Sequence, residues 1–294
     1  MNSLDQGAPA AGMPPLRQAA AVSAGGARPA GALQSLRDHW PEYLIEGWAL
    51  GTFMICAGVF AVLLDFPASP VHQAISDPTA RRVFGGVAMG LTAIALIYSP
   101  WGQRSGAHMN PAVTLTFLRL GKINRWDALF FALAQFIGGL LGVLLVVQVL
   151  GGAFANAPVS YAATTPGPQG PWVALAAEIG ISALLMLTIL TVSNAPRLAR
   201  FTGIFAGVLV ASYISLEAPL SGMSMNPARS FASAAPALMW HNFWIYVIAP
   251  VIGMLAGAQL YLFLRTRARI GCAKLLHPTN QRCIHCGYEP RSRS

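Results

Sequence analysis

Hydrophobic residues fall into six blocks separated by polar stretches, at about 43–64, 82–99, 127–150, 172–193, 201–217 and 243–264. About 20 residues of helix cross the roughly 30 Å hydrocarbon core of a bilayer. Each block is near that length, so the pattern predicts an all-α membrane protein with six spanning helices. Blocks two and five are short but sufficient where neighbours pack closely. Residues 1 to about 38 are rich in Ala, Gly and Pro, as in Ala8-Pro9-Ala10-Ala11-Gly12-Met13-Pro14-Pro15, and hold no apolar block of signal-peptide length. They read as a disordered tail rather than a cleaved leader. The ordered membrane domain is expected over 39–268, starting near Trp40-Pro41-Glu42, with a second polar tail at 269–294.

The pattern repeats. Ser105-Gly106-Ala107-His108-Met109-Asn110-Pro111-Ala112, after block two, agrees at six of eight positions with Ser221-Gly222-Met223-Ser224-Met225-Asn226-Pro227-Ala228, after block five. Phe84-x-Gly86-x-x-x-Gly90 matches Phe201-x-Gly203-x-x-x-Gly207, and Ala134-x-x-Ile137-Gly138-x-x-x-Gly142 matches Ala249-x-x-Ile252-Gly253-x-x-x-Gly257. Glu46 in block one has a counterpart in Glu178 in block four. The chain is a duplication, with repeat one at about 41–150 and repeat two at about 172–265. Each repeat holds three spans, an odd number, so the halves have opposite topology and the functional site is expected near the midplane between them. The small residues four apart are read as contacts between spans two and five and between three and six.

Composition agrees with a bilayer as solvent: 55% hydrophobic residues, 10% charged, mean hydropathy +0.54. The formal charge of +9 raises the possibility of a nucleic-acid partner, but no folded soluble region is long enough to present a basic face. The charge instead orients the chain. With both termini cytoplasmic, sixteen of the nineteen Lys and Arg fall inside, and only Arg81, Arg82 and Arg229 lie outside. The outer loop 151–171 carries no charge.

The paired Asn-Pro-Ala triplets, Asn110-Pro111-Ala112 and Asn226-Pro227-Ala228, carry the chemistry. Asn is a favoured N-cap and Pro a favoured first helical residue. The apolar runs that follow predict two half-helices of about ten residues, each long enough for half a bilayer. Inverted topology brings their positive ends together at the midplane. The Asn side-chain oxygen caps its own helix, leaving the amide N–H groups of Asn110 and Asn226 to point into a lumen. A water donating away from that point cannot relay a proton, and the two dipoles repel cations. One such triplet is an ordinary helix start; two, at matching places in inverted halves, point to a channel. A coupled transporter would call for an ionisable residue at the midplane, where Asn stands instead. No nucleophile–base pair, phosphate loop or intramembrane metal cluster suggests an enzyme.

On these residues, over about 41–265, the chain resembles the aquaporins, the major intrinsic protein family. The resemblance implies an aquaporin-like channel domain, a right-handed bundle of six helices with two re-entrant half-helices. It also implies a homotetramer with a pore in each subunit, in the cell (inner) membrane with lipid as its surroundings and no cofactor. It implies that Glu46 and Glu178 brace the re-entrant loops through backbone N–H groups; the competing reading makes them ion-coupling carboxylates. In similar proteins the Arg after the second triplet, here Arg229, joins the narrowest constriction. The matching positions are Met223 in the second loop, Met89 in span two, and Ile214 or, after a one-residue shift, Tyr213 in span five. The His usual in strict water channels is absent, so glycerol, hydrogen peroxide, ammonia or a metalloid hydroxide are alternative solutes. Ser230 and Ala234 depart from the glycerol-channel pattern and Tyr246 keeps the water-channel aromatic, so water is the favoured solute.

In the C-terminal tail, Cys272, His277, Cys283 and Cys286 could supply four zinc ligands. With only one Cys-x-x-Cys pair and irregular spacing before it, a mobile tail with reduced thiols is the favoured reading. His108 is read as a hydrogen-bonded loop residue, with a place on the pore or its gate as the alternative.

Overall fold

The computed structural model describes residues 31–265, 270–278 and 280–290. Six helices are long and apolar enough to cross a membrane: α1 (Ala32–Asp65), α2 (Pro78–Tyr98), α4 (Arg125–Leu150), α5 (Pro171–Ser193), α6 (Thr202–Leu216, lengthened to a span of Ala199–Leu216 by the 3-10 turn before it) and α8 (Phe243–Leu264). Two shorter helices, α3 (Pro111–Arg119) and α7 (Pro227–Ala237), follow the Asn-Pro-Ala triplets. The described residues contain no β-strand. The protein is an integral, multi-pass membrane protein.

Local sequence explains where these helices begin. Asp77 accepts a bond from Thr79 N at 2.9 Å with Pro78 in the first turn of α2. Asn124 caps α4 in the same way through Trp126 N at 2.8 Å. Helix α1 starts seven residues before the expected boundary, at Ala32, because Ala32-Leu33-Gln34-Ser35-Leu36-Arg37 are good helix formers and Pro41 is accommodated within the helix. At 34 residues it is about 50 Å long, so one end stands clear of the hydrocarbon. The rest of the proposed N-terminal tail, residues 1–30, lies outside the described residues.

The glycines fix how the helices meet. A Cβ added to Gly207 on α6 would lie 2.6 Å from the Gly90 carbonyl oxygen on α2, and one on Gly90 would lie 2.5 Å from the Gly207 carbonyl oxygen. Spans two and five therefore touch backbone to backbone across the two repeats. Spans three and six do not pair with each other as expected. Gly138 and Gly142 of α4 press on Gly47 and Gly51 of α1, while Gly253 and Gly257 of α8 press on Ile179 and Ala183 of α5. The sequence pattern marks a helix face as small without naming the face it meets, and the third span of each repeat closes on the first of its own repeat. Phe84, Leu141, Val149 and Phe263 stay exposed on the outward faces, as lipid contact requires.

The described part of the C-terminal stretch, 270–278 and 280–290, is not a free tail. Ile270, Ala273 and Leu275 are buried in the core of the helical body, and Cys283 is buried as well.

Candidate pore and its polar lining

Each re-entrant loop reaches its half-helix through a run of left-handed backbone. Gly106, Ala107 and Met109 have φ of 114°, 54° and 49°; Gly222, Met223 and Met225 have φ of 82°, 53° and 54°. Three of each four-residue path thus sit where non-glycine residues are strained, and the loop needs fixed partners to hold it. A buried carboxylate supplies them in both halves. Glu46 accepts from His108 N (3.0 Å) and Ser105 Oγ (2.7 Å) on one oxygen, and from Met109 N (2.6 Å) and Gln135 Nε2 (2.8 Å) on the other. Glu178 accepts from Ser221 Oγ (2.8 Å) and Ser224 N (2.6 Å) on one oxygen and from Met225 N (2.8 Å) on the other. Gln135 was missed in the sequence; its signal is a lone amide in the middle of an apolar span.

The two triplets then meet. Asn110 Oδ1 accepts from Ala112 N at 2.8 Å, and Asn226 Oδ1 accepts from Ala228 N at 3.1 Å and Arg229 N at 3.2 Å, so both caps form. The amide nitrogens differ from expectation. Asn110 Nδ2 donates to Met225 O at 2.7 Å, and Asn226 Nδ2 donates to Met109 O at 2.7 Å. Each side chain spends one of its two N–H groups tying the opposite loop, and a single N–H per Asn is left for a passing molecule. The cap rule reads only the oxygen; the second partner exists because the inverted halves place each triplet beside the carbonyl of the other.

A cavity of about 120 Å³ runs through this centre, lined among others by Asn110, Asn226, Arg229, Met89, Met223 and Ile214. Ile214 lines it and its alternative Tyr213 does not. The wall is otherwise almost wholly aliphatic or aromatic, with His108 and Ser224 as further polar exceptions. Arg229 Nη1 is buried without a hydrogen-bond partner among the described residues, so the guanidinium keeps donor capacity. Tyr246 does not face the cavity. It is fully buried and its hydroxyl donates to Ser221 O at 2.6 Å, so it anchors the second loop.

His108 combines both readings given to it: it lines the cavity, and its ring nitrogens meet Thr114 Oγ1 at 3.0 Å and Ala273 O at 2.7 Å. Its ring stacks on Phe117 and on His285 of the C-terminal segment, centroids 5.1 and 5.8 Å away. Burial lowers the His285 pKa to about 4, so that ring is neutral near pH 7. Leu275, from the same segment, also lines the cavity. Nothing in the sequence pointed to Leu275.

The family described as Major intrinsic protein matches residues 37–261, which takes in both loops and all six spanning helices apart from the first residues of α1 and the last of α8. The chain belongs to this family. Members of the major intrinsic protein family are channels rather than enzymes, and so is this chain. It is 33% identical over 256 residues to Aquaporin NIP2-3 of Zea mays, covering 85% of this chain and 78% of that protein. It is 38% identical over 186 residues to the probable aquaporin AqpM of Archaeoglobus fulgidus, covering 61% and 75%. The solved aquaglyceroporin of Plasmodium falciparum superposes with a TM-score of 0.62 at 18% identity, over 76% of this chain and 96% of that one, and shares the fold. As a family member the chain forms a pore for water or another small neutral solute, and this transport needs no cofactor.

Proposed function

We propose that the chain conducts water passively across the cell membrane and excludes protons and ions, with both termini in the cytoplasm and a pore in each subunit of a homotetramer. The observation that carries this reading is the pairing of Asn110 and Asn226 at one cavity whose walls are otherwise apolar. A single file of water can accept from the remaining Asn N–H groups in turn, while converging helix dipoles disfavour hydronium and metal cations. Glu46 and Glu178 act as braces in this reading. Both oxygens of each are engaged by loop donors, which leaves little capacity for a coupling ion. Arg229, Met223, Met89 and Ile214 form the selectivity filter, Arg229 donating to the solute and repelling cations. The positive-inside bias orients the protein.

One observation favours a second reading. Three apolar residues, two of them flexible methionines, share the proposed filter with Arg229, and no His narrows it. Such a filter can yield to glycerol, ammonia, hydrogen peroxide or a metalloid hydroxide. Stopped-flow light scattering on proteoliposomes, with an impermeant osmolyte in one run and glycerol in the next, separates the two. Water flux well above protein-free vesicles with unaltered glycerol entry supports the water channel; fast glycerol entry moves the assignment to the solute facilitator.

A further inference from the structure

The C-terminal segment brings together chemistry that solute passage does not use. Cys272 Sγ and Cys283 Sγ lie 3.5 Å apart and His277 Nε2 lies 3.2 Å from Cys286 Sγ. All four ligand atoms fall within 4.8 Å of one another. With Zn–S near 2.3 Å and Zn–N near 2.0–2.1 Å, a tetrahedral zinc holds its ligand atoms roughly 3.5–3.8 Å apart. Three thiols and an imidazole are a soft donor set that favours zinc over magnesium or calcium. A tight turn presents the Cys-x-x-Cys pair: Gly287, at φ 69°, donates to Cys283 O at 3.0 Å, and Cys283 N donates to Tyr288 O at 2.8 Å.

The cluster sits beside the pore end formed by the first re-entrant loop. Leu275 N donates to Gly106 O at 3.2 Å, Ala273 O meets His108 Nε2 at 2.7 Å, and His285 Nε2 meets Ser105 O at 2.8 Å. Gly271 N donates to Asn194 Oδ1 at 2.9 Å and Arg282 to Asp38 O at 3.0 Å. Between these contacts Leu275 enters the cavity wall alongside Ala107 and His108. No regular helix or strand runs through the described part of 270–290. A segment of this kind lacks a ladder of its own and needs a cross-link to keep one shape.

We infer that Cys272, His277, Cys283 and Cys286 bind one zinc ion, and that this ion clamps the C-terminal segment across the end of the pore at the first re-entrant loop. With four protein ligands the site is closed and its role is structural. Cys272 and His277 bracket Ala273 and Leu275, which touch His108 and Gly106, and Cys283 and Cys286 bracket His285, which touches Ser105, so the metal fixes the wall-forming residues directly. Loss of the metal releases that stretch and widens the pore end. The clamp rests on the conduction reading; the metal site does not.

The test uses the full-length protein, purified after growth with zinc and measured by elemental analysis, then reconstituted, stripped with a strong chelator and refilled with zinc alone. The expected result is close to one zinc per chain, with stripping raising water flux about fivefold or more and refilling reversing it. Stripping should also expose residues 270–290 to protease. Cys286→Ser should lower zinc content and raise flux without chelator, and Leu275→Gly should raise flux while keeping its zinc. Fewer than about one zinc in ten chains after refilling overturns the metal site. So does a Cys272–Cys283 disulfide, read as a mass lower by two hydrogens. Full zinc content with protease sensitivity unchanged by stripping overturns the clamp. Stoichiometric zinc and a released segment, with no water flux above protein-free vesicles in any variant, would uphold the metal site and count against conduction instead.

Discussion

The first and second re-entrant loops share a frame and differ in what finishes it. Their backbones follow the same left-handed path, and a buried glutamate, a serine and an asparagine occupy matching places. Even the pair that closes each loop is matched: His108 meets Thr114 in the first, and Ser224 meets Ser230 at 2.6 Å in the second. The finishing differs in three ways. Val113 in the first half stands at the position that Arg229 takes in the second. Gln135 completes the Glu46 shell, whereas Tyr246 reaches the second loop from α8. The C-terminal segment covers the first loop, while the segment between α4 and α5 covers the second through Thr164 Oγ1, 2.6 Å from Ser230 Oγ. Duplication supplied the scaffold twice, and a buried guanidinium, that of Arg229, was added to one copy.

The comparison can be broken at its shared frame. Glu46→Ala and Glu178→Ala each strand two backbone N–H groups and a serine hydroxyl in a buried site. Each is expected to cost about 3 kcal/mol or more, seen as lost monodisperse protein or a lower thermal midpoint in detergent. Similar losses in the two variants would show that the braces are equivalent; a loss in only one would show that the likeness is superficial.

Asn226→Asp is the next largest. It removes the donor to Met109 O and places a negative charge between two positive helix ends, so cation or proton leak should rise in reconstituted vesicles, or the protein should fail to assemble. An Asn226→Asp variant that folds and stays as proton-tight as the parent would undo the account of exclusion. Arg229→Val gives the second loop the residue that the first loop carries at Val113. Removing a charged donor from the path should raise glycerol or cation leak by about tenfold, equivalent to roughly 1.4 kcal/mol, with water flux kept. Unchanged leak in a folded Arg229→Val variant counts against its place in the filter. Tyr246→Phe is the smallest change. It removes one hydroxyl bond from the second loop alone and should lower stability by about 0.6 kcal/mol, with flux near the parent value.

The spans and the doubled loops were legible because each rests on a local rule: apolar length for the helices, cap chemistry for Asn110 and Asn226. The expected limits of α8, 243–264, coincide with the helix itself. What could not be read depends on contacts between distant parts of the chain. The partners of Gly138 and Gly253, the donation of each Asn amide to the opposite loop, and the entry of Leu275 into the cavity wall are set by tertiary packing with no periodic trace. The Cys and His spacing was visible from 272 to 286, but irregular spacing argued for a loose tail. Only the folded segment brings those four side chains together.

The crossed bonds between Asn110 and Met225 and between Asn226 and Met109 have a mechanical consequence. Carriers that alternate between inward and outward openings rock one repeat against its twin about a central site. Here such a swing would have to snap both midplane latches at once and slide Gly90 past Gly207, where the backbones leave no room even for a methyl group. The two halves are riveted at their centre, so the solute must move through a frame that stands still.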